Sequence, residues 1–132
     1  MRITDSAEYW DALAERYADG RKPSAVDRAT LDAVPPVGRV LELGAGPGTF
    51  TRQALAHPAR DPEARYIATD VSPRFCEMLT PLPVQVRCAA HDDLMLPTGT
   101  IDTAYAMATL HHLDPGICAV LLRRLAGWLA PG

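Results

Sequence analysis

Three glycines in the spacing G-x-G-x-G (Gly44, Gly46 and Gly48), with Glu42 two residues ahead of the first, form the stretch best suited to holding a ligand. Residues without a Cβ permit a tight reversal and let a flat or charged group approach the main chain, while free N–H groups of the following helix face it. Asp70 lies 22 residues after Gly48, and Asp92 another 22 residues on. Either acid alone reads as a helix cap or a solvated loop acid, and their order behind the glycines is what gives them weight. His111 and His112 stand side by side further along. A histidine titrates near neutral pH and can take a proton from an attacking hydroxyl or amine, although adjacent histidines are more often structural or exposed.

The glycine spacing discriminates between ligands. Dinucleotide-binding turns carry G-x-G-x-x-G and an acid about 20 residues further on. Here the third glycine is one place early, and Pro47 stiffens the loop, which weakens a pyrophosphate reading. Cys76, Cys88 and Cys118 are odd in number and widely spaced, so they support neither a disulfide framework nor a metal site and read as buried or half-buried thiols.

The elements that must position these residues alternate. "SAEYWDALAERYADG" has Tyr9, Trp10, Leu13 and Tyr17 at helical spacing, with Ser6 or Asp5 as N-cap and Gly20 as stop. Its aromatic stripe reads as a core-facing one. "SAVDRATLDAV" begins at Ser24 with Asp27 three residues on and ends before Pro35 and Pro36, where a helix cannot continue. Strands follow at about 38–43, 65–70, 84–88 and 101–106, alternating with the helix-like "TFTRQALAH", "PRFCEMLT" and "GICAVLLRRLAGWLA". The pattern predicts an α/β fold: a doubly wound, mainly parallel sheet covered by helices on both faces. In such sheets ligands bind beyond the carboxyl ends of the strands, where the glycine turn falls.

Composition sets outer limits. A chain of 132 residues with 48% hydrophobic and 22% charged residues is one soluble domain's worth. A net charge of −3 supplies no basic field for nucleic acid. No apolar run approaches the roughly 20 residues that span a bilayer, and "MRITDSAEYW" lacks the apolar stretch of a secretory signal, so a cytoplasmic protein without membrane partners is expected.

With these residues in place, "VLELGAGPGTFT" resembles motif I of the class I, Rossmann-like S-adenosylmethionine-dependent methyltransferases, an acid followed by G-x-G-x-G. "YIATDVSP" is similar to the family's second motif, "HDDLMLP" to its G-D-x-x-x-L-P segment, with His91 where the family has glycine, and "IDTAYAMATLHHL" to its fourth strand and following loop. "LLRRLAGWLAPG" resembles the helix leading into the L-x-P-G-G turn, and "YWDALAERYAD" the helix that often closes over the cofactor. The resemblance implies a division into a helical cap, residues 1–36, and a cofactor-binding domain, residues 37–132.

For the site it implies S-adenosyl-L-methionine as cofactor and no metal. Glu42 would hold the amino-acid end, Asp70 would accept from both ribose hydroxyls, and Asp92 would accept from the adenine amino group. Leu43, Gly44, Ala45, Gly46 and Gly48 would line the loop, and Val71, Asp93, Leu94, Met107 and Tyr17 would complete the contacts. His111 and His112 become candidate general bases for transfer to a small-molecule acceptor. The family's domain continues into further strands, so by this resemblance the chain is truncated after the fourth strand and its helix, and an open sheet edge is expected to invite self-association. Two other readings stand beside it: a non-catalytic remnant that binds the cofactor, and an oxidoreductase linked to NAD.

Overall fold

A computed structural model describes residues 7–107 and 109–131; the predicted caps Asp5 and Ser6 lie outside them, as does the side chain of His111. Two helices, α1 (Ala7–Gly20) and α2 (Ala25–Ala33), precede β1 (Arg39–Leu43), α3 (Thr49–Ala56), β2 (Arg65–Asp70), α4 (Pro73–Leu79), β3 (Gln85–Cys88), β4 (Thr103–Ala106) and α5 (Pro115–Trp128). A short 3-10 turn at Leu110–His112, which no sequence signal marks, joins β4 to α5.

The four strands form one sheet in the order β3-β2-β1-β4, with every pairing parallel. Glu42 lies opposite Ala68 on β2 and Tyr105 on β4, so β1 is the central strand and its carboxyl end sits between two others. One sheet face packs Val40, Tyr66, Ala68 and Tyr105 against Leu31 of α2, Phe50 and Ala54 of α3 and Leu79 of α4. The other packs Leu41 and Leu43 against Leu94, Ile101, Leu113, Leu121 and Trp128, mostly from α5 and the connection ahead of β4. The near-continuous apolar run of β1, with Val40, Leu41 and Leu43 all buried, is what burial on two faces requires.

Local signals account for the ends of the helices. The side chain of Ser24 accepts from Asp27 N at 3.1 Å while Asp27 Oδ2 accepts from Ser24 N at 3.3 Å, a reciprocal cap on α2. Asp114 caps α5 and is followed by Pro115 in the first turn, where its missing N–H costs nothing. Strand β4 is shorter than the sequence predicts: Ile101 makes only an isolated parallel bridge to Leu129, and Asp102 leaves the ladder to bind Arg39, accepting from its backbone N at 2.8 Å and its Nε at 3.0 Å. Cys76 is buried and Cys118 half-buried, but Cys88 is exposed, because it ends β3 at the sheet's edge where no further strand covers it. No helix among the described residues is long and apolar enough to cross a membrane.

Candidate active site

The carboxyl ends of β1 and β2 deliver the glycine loop and Asp70 to the same place. Ala45 N donates to Thr69 O at 2.8 Å, and Thr69 Oγ1 donates to Glu42 O at 3.0 Å, stitching the loop to the neighbouring strand. Asp70 Oδ2 accepts from Gly46 N at 2.9 Å, and its Oδ1 accepts from Ser72 N at 3.0 Å. Both carboxylate oxygens therefore organise main chain, one on the loop and one ahead of α4. Burial raises the pKa of Asp70, and the backbone donors oppose that rise by favouring the ionised form.

Gly44 is the tightest point of the loop. Its φ is +64°, in the left-handed region, and a Cβ there would overlap the hydroxyl of Thr109. At Gly46 the neighbour is the ring of Tyr17, 3.8 Å from where a Cβ would stand. The loop is thus roofed by a residue after β4 and by a ring from α1. Gly48 N-caps α3 with no side-chain bond.

Glu42 lies beneath the loop and is 1% exposed. Its Oε1 accepts from Thr51 Oγ1 and from Tyr66 OH, each at 2.7 Å. Burial pushes its pKa up to about 7; the two hydroxyl donors pull the other way, and the charge of Asp70 adds to the rise. Arg21 faces it across a small cavity also lined by Tyr17, Gly44, Gly46 and Thr49. The guanidinium is fixed by a two-pronged bond to Asp27, 3.1 Å on each side, and Gln53 Nε2 donates to the same carboxylate at 2.9 Å. A buried carboxylate and a pinned guanidinium facing one space suit a zwitterion.

Beyond the loop, Trp10, Tyr17, Phe75, His91, Thr109 and His112 enclose a cleft whose floor is Gly44, Gly46, Asp70, Val71 and Met107. The ring of Trp10 meets that of His112 edge-on at 5.0 Å and that of Tyr17 at 5.6 Å. α1 is held over this cleft by Asp11, whose Oδ1 accepts from Ser72 Oγ at 2.5 Å and from Arg74 N at 2.9 Å, and by an ion pair between Glu15 and Arg74.

The structure thus brings together Tyr17, Glu42, Gly44, Ala45, Gly46, Asp70, Val71, Met107 and His112 around two adjoining cavities. Others stand elsewhere. Leu43 and Leu94 are buried in the core on the α5 side, a Cβ at Gly48 would stand against Leu79 and Leu82, and Asp92 and Asp93 are exposed. Trp10 and Tyr17, read as core-facing, line the cleft because α1 caps the strand ends and packs on α4. Arg21, Phe75, His91 and Thr109 were not singled out as contacts. Their roles depend on partners far away in sequence, and only the departure of His91 from glycine marked any of them. No group of three or more His, Cys, Asp and Glu among the described residues could hold a metal ion.

A methyltransferase domain family is matched over residues 40–132, from β1 through α5. The chain belongs to that family. A trans-aconitate 2-methyltransferase from Methylobacterium nodulans is 35% identical over 125 residues, covering 93% of this chain and 46% of the relative. A solved S-adenosylmethionine-dependent methyltransferase from Mesorhizobium loti is 29% identical with a TM-score of 0.67, over 87% of this chain and 51% of that one. A protein solved as a DhpI–SAH complex is 23% identical, with a TM-score of 0.79 over 98% of this chain and 65% of that one, a likeness of fold. This chain spans about half the length of the first two relatives.

Proposed function

We propose that this chain carries the S-adenosyl-L-methionine site of a methyltransferase that acts on a small-molecule acceptor. The observation that carries the reading is the bond from Gly46 N to Asp70 Oδ2, which sets an acid of β2 directly against the glycine loop of β1. The residues fit the cofactor. Glu42 and Arg21 offer a carboxylate for an α-ammonium and a guanidinium for an α-carboxylate, with Asp70 beside them for ribose hydroxyls. When bound, the cofactor supplies an activated methyl group, and the protein's share is alignment and exclusion of water. Trp10, Tyr17 and Phe75 provide the exclusion.

The acceptor is proposed to be a small organic acid, as the name of the relative from Methylobacterium nodulans supports. A carboxylate is already ionised and needs no base. For a hydroxyl or amine acceptor His112, which lines the cleft, would take the proton, with His111 as its neighbour in the chain.

Calorimetric titration with S-adenosylmethionine, its demethylated product and NAD tests the cofactor, and labelled-methyl transfer to trans-aconitate and pooled acids tests the acceptor. The first two compounds should bind and NAD should not. Asp70→Ala should weaken binding about tenfold or more while the fold persists. Binding of NAD alone, or unchanged affinity in the variant, would refute the assignment.

A further inference from the structure

The face of the sheet that α5 covers is only half covered. α5 and the residues ahead of β4 close over β1 and β4, with Ile67 of β2 packed partly against that core, but the connection from β3 to β4 contains no helix among the described residues, and Arg65 and Gln85 stay exposed. A cleft of about 690 Å³ lies there, lined by none of the residues that line the two cavities at the glycine loop. Parallel sheets are ordinarily buried on both faces and read as apolar throughout. On this face β2 and β3 instead present Arg65, Ile67, Gln85 and Arg87.

Charge is distributed unevenly among the arginines of the cleft. Arg39 is neutralised by Asp102, at 3.0 Å from Nε and 3.3 Å from Nη2. Arg65 and Arg87 have no acidic partner among the described residues, although the chain as a whole carries a net charge of −3. Ile67, on the strand between Arg65 and the register of Arg87, and Leu96 add aliphatic lining to the cleft. The volume falls in the range of small-molecule sites, which combine an apolar lining with a few placed polar groups. Guanidinium forks match carboxylate and phosphate oxygens two at a time.

We infer that this cleft is a second ligand site, for a small molecule bearing two or more carboxylate or phosphate groups on a short carbon body. Arg65 and Arg87 take the anionic groups, and Ile67 and Leu96 take the carbon body. The cleft shares no lining residue with the two cavities at the glycine loop, so it can be filled while the first site is occupied.

The test uses citrate and inorganic pyrophosphate as probes of the two anion types, with two-dimensional NMR titration and calorimetry at low and at physiological salt. At least one probe should bind saturably, shifting the amides of residues 65–67 and 85–87. Combined Arg65→Gln and Arg87→Gln substitution should weaken that binding about tenfold or more. Both side chains lack partners in the described structure, and unchanged circular dichroism would establish that the variant folds. Saturating S-adenosylhomocysteine and Asp70→Ala should leave the probe's affinity unchanged, which separates this inference from the proposal for the glycine loop. Absence of saturable binding, equal affinity in the double variant, or displacement by S-adenosylhomocysteine would overturn it. Preference for citrate or for pyrophosphate would identify which anion the cleft is built for.

Discussion

Glu42→Gln isolates the energetic cost of the buried acid beneath the loop. The carboxyl of Glu42 ordinarily titrates at 4.5 and is raised to about 7 by burial, against the pull of the Thr51 and Tyr66 hydroxyls. Between those two pH values the folded chain holds a proton that the unfolded chain has released, so stability falls as pH rises. The contribution is fully present below pH 4.5 and is lost through about 7. At 1.36 kcal/mol per pH unit, that displacement is worth roughly 3 kcal/mol, a large share of the roughly 5 to 15 kcal/mol that holds a domain together. Glutamine has the same shape, accepts from the same two hydroxyls and stays neutral. Urea denaturation of both proteins from pH 5 to 8.5 should give nearly equal stability at the acid end, with the variant ahead by roughly 2 to 3 kcal/mol at the alkaline end. Parallel pH profiles, or a variant less stable than the wild type at pH 8.5, would refute the placement of an unpaired buried charge at this position.

Gly44→Ala should cost roughly 2 kcal/mol or more, from the positive φ and the overlap with Thr109, and Thr109→Gly in that background should recover the second part only; denaturant midpoints would separate them. Asp11→Ala should release α1 from the start of α4, seen as faster amide exchange across Ala7–Gly20 with the sheet unaffected; unchanged protection would mean that the Glu15–Arg74 pair and the aromatic contacts hold α1 without it. The Ser72 hydroxyl holds the carboxyl of Asp11 below its ordinary range, so this attachment should persist through mild acid and fail only as pH drops through that lowered value.

Much of this architecture is written locally. Gly44, Gly46 and Gly48 behind an apolar run, Asp70 at the end of the next strand, and Ser24 with Asp27 each specify their structure within a few residues, and the parallel sheet follows from alternation. What stayed hidden depends on contacts across the chain. Thr109 roofs Gly44 from 65 residues away, and Arg21 reaches the space before Glu42 only because Asp27 and Gln53 pin it. Cys88 was read as a buried or half-buried thiol, but the order of strands left it on an edge. Asp92 falls where the family's segment places an acid, yet it and Asp93 are exposed, and His91 beside them lines the cleft.

The bridge from Asp11 to Ser72 and Arg74 spans 61 and 63 positions of the chain. During synthesis at about 5 to 20 residues per second, the first helix therefore waits roughly 3 to 13 seconds for its anchor to be made. Until then Trp10 and Tyr17 lack the Phe75 ring that they meet in the folded chain, so the segment that roofs the site is the last to settle.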